Sequence, residues 1–292
     1  MILSAPAKIN LGLAVRGRRA DGYHDISTIF LKISLADELS IDDTDSPDIT
    51  VRCNDLAVPC DSRNLVHRAA TALQQAAPGR GARFRLRKSI PVAAGLGGGS
   101  SDAAAALSGL NTLWNLQLGA AELSRHAAAI GADVPFFLLP EVAALGRGRG
   151  DELEPLSCPA VLSLVLVKPP VAVTTGWAYQ QLGPALTDNP NATTILVRHL
   201  ESGDIESLGE ACFNDFEPVM LTHFPVLRTI KKALTQPGVC GVSMAGSGPT
   251  MYALCRSYDV AQEVAQTVRN RGWQVWACRT WHGDSVSGIG QH

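Results

Sequence analysis

Pro91-Val-Ala-Ala-Gly95-Leu-Gly97-Gly98-Gly99-Ser100-Ser101-Asp102, followed directly by Ala103 to Ala106, joins a glycine loop to the start of an alanine-rich helix. Four glycines within five positions open backbone conformations closed to residues with a Cβ, and they let a ligand approach the amides closely. Ser100, Ser101 and Asp102 are good N-cap and first-turn residues for a helix over 102–116, in which Leu107, Leu110, Leu113 and Trp114 recur at helical spacing. The first amides of such a helix have no internal carbonyl partner. The macrodipole adds about half a positive charge at that end, so an anion there is stabilised twice. The stretch predicts a phosphate cradle.

Two better-known phosphate loops are excluded letter by letter. The Walker A pattern needs Gly-Lys-Ser/Thr, and this loop has no lysine. The dinucleotide pattern G-x-G-x-x-G, started at Gly95, meets Ser100 where its last glycine belongs, and no acidic residue is suitably placed about 20 residues on. Taken alone, the stretch also fits a second reading, in which the glycines only let Ala103 to Ala106 pack against a neighbouring element. Other parts of the chain have to decide.

The 292 residues suffice for one large or two moderate domains, and 46% hydrophobic content supplies a core. A net charge of −2 with scattered basic residues leaves nucleic-acid binding unsupported. The single basic cluster, Arg83, Arg85, Arg87 and Lys88, alternates with Phe84 and Leu86 as the solvated face of a strand. The seven cysteines form no C-x-x-C pair and have no histidines at finger spacing; reduced thiols are expected, several of them buried. The N-terminus lacks the layout of a signal peptide and no run approaches the ~18 apolar residues of a membrane span, so no membrane partner is expected and the cytoplasm is the expected compartment.

The pattern along the chain is α+β without internal repeats. Residues 8–15 alternate, with Ile9, Leu11, Leu13 and Val15 on one face of a half-buried strand and Lys8 and Asn10 side by side on the other. Residues 29–35 repeat the pattern, and strands are expected at 161–167 (buried on both faces), 251–255 and 273–278. Helical spacing marks 65–77, and further helices are expected at 121–130, 193–201, 204–213, 223–235 and 259–271. The Gly146-Arg-Gly-Arg-Gly150 turn and the prolines 155 and 159 place a domain boundary near 156, giving halves 1–156 and 157–292.

Two further segments carry polar groups in unusual company. In Gly131-Ala-Asp133-Val-Pro135, the proline directs Val134 toward extended backbone and restrains the turn, so Asp133 is held in place; a capping or turn aspartate is the simpler reading of that residue by itself. Gly241-Val-Ser243-Met-Ala245-Gly246-Ser247-Gly248-Pro249-Thr250 fits equally a second wall for phosphate or substrate and a tight connection between strands.

The three motifs, Pro6-Ala-Lys8-Ile-Asn10-Leu, Pro91 to Ser101, and Gly246-Ser-Gly-Pro-Thr250, occur in an order and at separations that resemble the GHMP kinase superfamily. Asp21-Gly22-Tyr23-His24, Gly97 to Ala103 and Gly131-Ala-Asp-Val-Pro135 narrow the resemblance, which spans essentially the whole chain, to members acting on a cytidine diphosphate-linked methylerythritol. It implies a ribosomal-protein-S5-like N-terminal domain and a ferredoxin-like C-terminal domain with the active site in the cleft between them. It also implies transfer of the γ-phosphate of ATP, with Mg²⁺, to the C2 hydroxyl of that substrate in the non-mevalonate route to isoprenoid precursors. The alternative is another small alcohol, such as homoserine or a mevalonate-type acceptor. Monomer and homodimer are both compatible with it.

By this resemblance Asp133 and Lys8 are the catalytic pair. Asp133 accepts the hydroxyl proton, while Lys8 favours its carboxylate form and stabilises charge on the attacking oxygen or the transferred phosphoryl. Asn10 helps position the substrate, Tyr23 and His24 take the cytosine, and Thr175 and Tyr179 face it from the second half, with Trp177 as the rival of Tyr179. Asn64, Lys88 and Pro91 join Gly95, Leu96, Gly97, Gly98, Gly99, Ser100 and Ser101 in the ATP site, with Ser101 the candidate Mg²⁺ ligand and Asp102 either near it or a helix cap. Asn214-Asp215-Phe216-Glu217 resembles a family segment of structural role.

Overall fold

A computed structural model describes residues 1–182 and 191–283. The first half runs β1 (Ile2–Arg18), β2 (His24–Thr44), β3 (Ile49–Cys53), α1 (Leu65–Gln74), β4 (Gly81–Arg87), α2 (Gly98–Leu113), α3 (Ala120–Ile130), α4 (Val134–Leu138), β5 (Ala143–Arg147) and β6 (Glu152–Leu156). The second half runs β7 (Ser163–Lys168), α5 (Thr175–Gln181), α6 (Ala192–Ser202), α7 (Ile205–Ala211), β8 (Phe213–Asn214), α8 (Glu217–His223), α9 (Pro225–Leu234), β9 (Val239–Met244), β10 (Met251–Cys255), α10 (Tyr258–Val268) and β11 (Gln274–Arg279).

β1 and β2 form a long antiparallel hairpin at the centre of the first sheet, whose order is β3-β4-β2-β1-β8. The outer edge of β2 is shared: β4 pairs with residues 38–44 and the β5–β6 hairpin with residues 28–31. Phe84 and Leu86 of β4 point into the core under α1 and α2 while Arg83, Arg85 and Arg87 face solvent, as the alternation predicts; Lys88, expected on the same solvated face, lies beyond the strand's end and is buried against Asp37. The second sheet is fully antiparallel in the order β11-β7-β10-β9, the ferredoxin-like arrangement. One face carries α9 and α10 against Val165, Val167 and Ala253, and the other packs Leu164, Leu166 and Tyr252 against the first half through Leu196 and Leu200 of α6. That double burial explains the all-apolar Leu164 to Val167 run.

The expected half-buried strand at 8–15 is buried on both faces. The reason lies in the second half: β8 pairs in parallel with β1, and Leu196 and Phe213 lie against Gly12, where a Cβ would stand 2.4 Å from Leu196 Cδ1. Three local expectations are corrected. α2 begins at Gly98 rather than near Asp102, because Gly97 caps it with φ of 70°, which glycine enters without strain; the side chains of Ser100, Ser101 and Asp102 are not its cap. Val134 is helical, since Pro135 sits in the first turn of α4, where a missing N–H costs no hydrogen bond. The 223–235 helix starts at Pro225, with α8 ending before it, because proline opens a helix but does not continue one. α5, unforeseen, starts where Thr174 accepts a hydrogen bond from Trp177 N.

All seven cysteines are free thiols, with Cys255 and Cys278 buried. Among the described residues no helix is long and apolar enough to cross a membrane, and none form a His/Cys/Asp/Glu trio able to hold a metal.

Candidate active site

A cleft of about 1260 Å³ opens between the two halves and is lined by the glycine loop, the middle of β1, the β1–β2 turn, α5 and residues 246–247. Its first wall is the loop itself. Ser101 N is the first amide of α2 to find a carbonyl within the turn, that of Gly97, so the N–H groups of Gly98, Gly99 and Ser100 precede the helical ladder, and all three residues line the cleft. The loop packs against the second glycine segment so tightly that a Cβ on Gly95 (φ 77°) would stand 2.3 Å from the Ala245 carbonyl oxygen. Asn214 fixes this second segment, donating through Nδ2 to the carbonyls of Met244 (2.7 Å) and Gly246 (2.8 Å), and Asp215 accepts from Val15 N at 2.7 Å. The 241–250 stretch is therefore both a strand connection and a wall of the cleft.

Lys8 and Asp133 meet between the walls. Lys8 Nζ lies 3.6 Å from Asp133 Oδ2, donates to Asn10 Oδ1 at 2.8 Å and stands 5.4 Å above the Phe30 ring. Asn10 Nδ2 donates in turn to Thr28 Oγ1 (2.8 Å), which donates to the Gly12 carbonyl (2.7 Å). This buried relay fixes the Asn10 amide and hence the direction of the ammonium. Asp133 occupies the N-cap position of α4 without a side-chain capping bond, and its side chain is 34% exposed into the cleft. A carboxylate committed to capping would be turned to the helix amides; this one is available to a ligand.

At the far end, His24 stacks on Tyr179 with centroids 4.7 Å apart and planes at 22°, and Tyr179 meets Phe216 edge-on at 4.8 Å. Tyr23 stands more than half exposed at the turn. Trp177 points elsewhere, onto His223 and Phe224, so of the two aromatics in α5 it is Tyr179 that faces the cleft. Burial, aided by the charge of Arg18, pushes the His24 pKa down, toward the neutral imidazole. Burial, with the charge of Asp133, pushes the Tyr179 phenol up to about 12. Thr175 Oγ1 lies 3.3 Å from Ser247 Oγ, joining α5 to the second glycine segment.

On the nucleotide side, Asn64 and Pro91 line the cleft, although Asn64 is also the cap of α1, accepting from Val66 N at 2.9 Å. Lys88 and Asp102 also line the cleft, but with at most 6% of either side chain exposed: the Lys88 ammonium is joined to Asp37 and, at 2.8 Å, to Asp102 Oδ2. Burial lowers the Lys88 pKa, but the pull of Asp102 and Asp37 outweighs it and leaves it raised. Asp102 is pushed up to about 7 by burial, against the pull of Lys88. Ser101 is buried and, unlike Gly97 to Ser100, does not line the cleft; its Oγ has no hydrogen-bond partner.

Sequence reasoning missed Thr28, Phe216 and Arg149. Thr28 is one more polar residue in a strand, visible only once β1 and β2 pair. Arg149 belongs to a turn read as a separator, but the β5–β6 hairpin folds back on β2 and sets its guanidinium 5.2 Å above the Tyr23 ring, held by Asp151.

A glycine loop at a helix N-terminus, a lysine–aspartate pair and a two-sheet frame define a class that the chain's two domain matches state outright: GHMP kinases N terminal domain over residues 64–141 and GHMP kinases C terminal over 196–273. The chain is 42% identical over 95% of its length to the 4-diphosphocytidyl-2-C-methyl-D-erythritol kinase of Pelotomaculum thermopropionicum, covering 97% of that protein. It is 40% identical over 92% of its length to the enzyme of the same name from Chlorobium phaeobacteroides, covering 91% of it. A crystal structure of 4-(cytidine 5'-diphospho)-2C-methyl-D-erythritol kinase superposes with a TM-score of 0.82 at 36% identity, covering 97% of this chain and all of that one. Within the GHMP kinases, the chain belongs to the 4-diphosphocytidyl-2-C-methyl-D-erythritol kinase family.

Proposed function

We propose that this protein transfers the γ-phosphate of ATP to the C2 hydroxyl of 4-diphosphocytidyl-2-C-methyl-D-erythritol, a step toward isoprenoid precursors by the non-mevalonate route. The observation that carries this reading is the position of the Lys8–Asp133 pair, 3.6 Å apart, in one cleft with the glycine loop and the His24–Tyr179 stack. The loop amides of Gly98, Gly99 and Ser100 take the nucleotide phosphates, and Pro91 and Asn64 border the base. Tyr23, His24 and Tyr179 take the cytosine by stacking and by hydrogen bonds from a neutral imidazole to its edge.

A tertiary alcohol is a weak nucleophile, so most of the rate comes from alignment and charge stabilisation. Asp133 accepts the hydroxyl proton as the oxygen attacks phosphorus. Lys8, aimed by Asn10 and Thr28, stabilises the negative charge that develops between the attacking oxygen and the phosphoryl group. The buried, unpartnered Ser101 Oγ is a hard oxygen that fits Mg²⁺, whose remaining ligands would come from phosphate and water. Bound there, Mg²⁺ would neutralise phosphate charge.

The test is ADP release from ATP and Mg²⁺ with 4-diphosphocytidyl-2-C-methyl-D-erythritol, homoserine or mevalonate as acceptor. Turnover confined to the cytidyl substrate is expected. Turnover with homoserine or mevalonate alone would overturn the substrate assignment.

A further inference from the structure

A second lysine–carboxylate group lies beside the phosphate loop, and the reaction described above makes no use of it. Asp37 of β2, Lys88 at the end of β4 and Asp102 of α2 form one chain of contacts, with all three side chains at most 6% exposed. Asp37 Oδ1 accepts from the backbone amides of Ser89 (2.6 Å) and Ile90 (2.8 Å), while its Oδ2 accepts from Lys88 Nζ. Lys88 Nζ also donates to Asp102 Oδ2 at 2.8 Å, and it lies 3.0 Å from where a Cβ on Gly98 would stand.

The positions of these contacts along the chain are what matter. Residues 88–90 immediately precede the glycine loop, and Asp102 lies in the helix that the loop opens. The group therefore ties the entry of the loop and the helix at its exit to a single point on β2. Glycines give a loop freedom as well as access, and a loop that must order itself on a ligand binds more weakly than one already held in place. Burying three charges does little for stability by itself, since an apolar trio of the same volume is often as stable.

We propose that Asp37, Lys88 and Asp102 are positioning residues that hold the glycine loop in its phosphate-binding shape, acting through the loop and not by contact with the phosphates. The inference rests on the reading that the loop binds the phosphates of ATP. Asp102 is the informative position, because its removal leaves a balanced Lys88–Asp37 pair and both Asp37–amide bonds, so the fold keeps its charge pairing while the tie to α2 is cut.

The experiment measures ATP binding at equilibrium by calorimetry, together with the KM for each substrate and the thermal midpoint, in the parent, Asp102→Ala and Asp102→Asn. Asp102→Ala is expected to weaken ATP about tenfold with the KM for the acceptor unchanged and the thermal midpoint equal or higher. Asp102→Asn, which still accepts from Lys88, is expected to restore most of the affinity. Equal ATP affinity in the parent and Asp102→Ala would overturn the proposal and leave the proposed reaction standing. A large fall in thermal midpoint, or equal loss for both substrates, would also overturn it, since the group would then only stabilise the fold. A parent that binds no ATP would remove both the proposal and the reaction it rests on.

Discussion

Lys8 and Lys88 are both buried ammonium groups beside carboxylates, and the two sites differ chiefly in what the carboxylates can reach. Asp133 leaves 34% of its side chain open to the cleft and makes no capping bond, whereas Asp37 and Asp102 are 0% and 3% exposed. An open carboxylate next to a fixed cation can take a proton from a substrate. One that is almost fully covered and bonded to a lysine holds its neighbours in place. The comparison shows that residue type does not separate chemistry from positioning; access does.

The largest expected effect breaks the comparison at its open end. Asp133→Ala should lower kcat by about 10³-fold, within the span of general acid–base contributions, with ATP affinity nearly unchanged. Unchanged turnover would remove Asp133 from the mechanism. Lys8→Met should lower kcat/KM by roughly 10²-fold through lost charge stabilisation, measured at saturating Mg²⁺. The wall that joins the two sites is next: Gly95→Ala places a Cβ 2.3 Å from the Ala245 carbonyl at a φ of 77° and should cost about 1–3 kcal/mol, read as a lower thermal midpoint with weaker nucleotide binding. Tyr179→Leu should raise the KM for the acceptor about tenfold and leave that for ATP unchanged, while Trp177→Leu should alter neither; the reverse would give the cytosine contact to Trp177.

The smallest effect concerns the sealed site. Burial raises the Asp102 carboxyl in the fold above its usual value, so between the unfolded and folded values the native state binds more protons and stability falls as pH rises. Asp102→Asn removes that dependence. The thermal midpoint of the variant relative to the parent should therefore climb from pH 4 to pH 7, and a constant difference would mean that Asp102 keeps an ordinary carboxyl.

Much of this was legible without coordinates, for reasons that differ from residue to residue. Lys8 and Asn10 are neighbours on a strand because the side-chain period is two, and the structure joins them at 2.8 Å. The glycine-rich start of α2 was legible because glycine and first-turn residues act within a few positions; its starting residue was not, since any glycine of the loop can take the left-handed φ that Gly97 adopts. The resemblance favours Tyr179 over Trp177, two residues earlier, without a local reason; the structure turns Tyr179 to the cleft and sets Trp177 on His223 and Phe224. Asp37 carries no local mark at all. Its role exists only because β4 pairs with β2 and brings residues 88–90 to it.

The sequence by itself determined most of the helices and strands and the glycine loop at a helix start, because each of these depends on backbone freedom and spacing within a short stretch; Lys8 and Asp133 were singled out by the family resemblance and not by local spacing. Tertiary structure alone decided that Asp133 is open and Asp102 closed, that Arg149 returns to Tyr23, and that β1 is buried on both faces. Exposure and long-range charge pairing are set by which surfaces the two halves cover, and no local pattern encodes them.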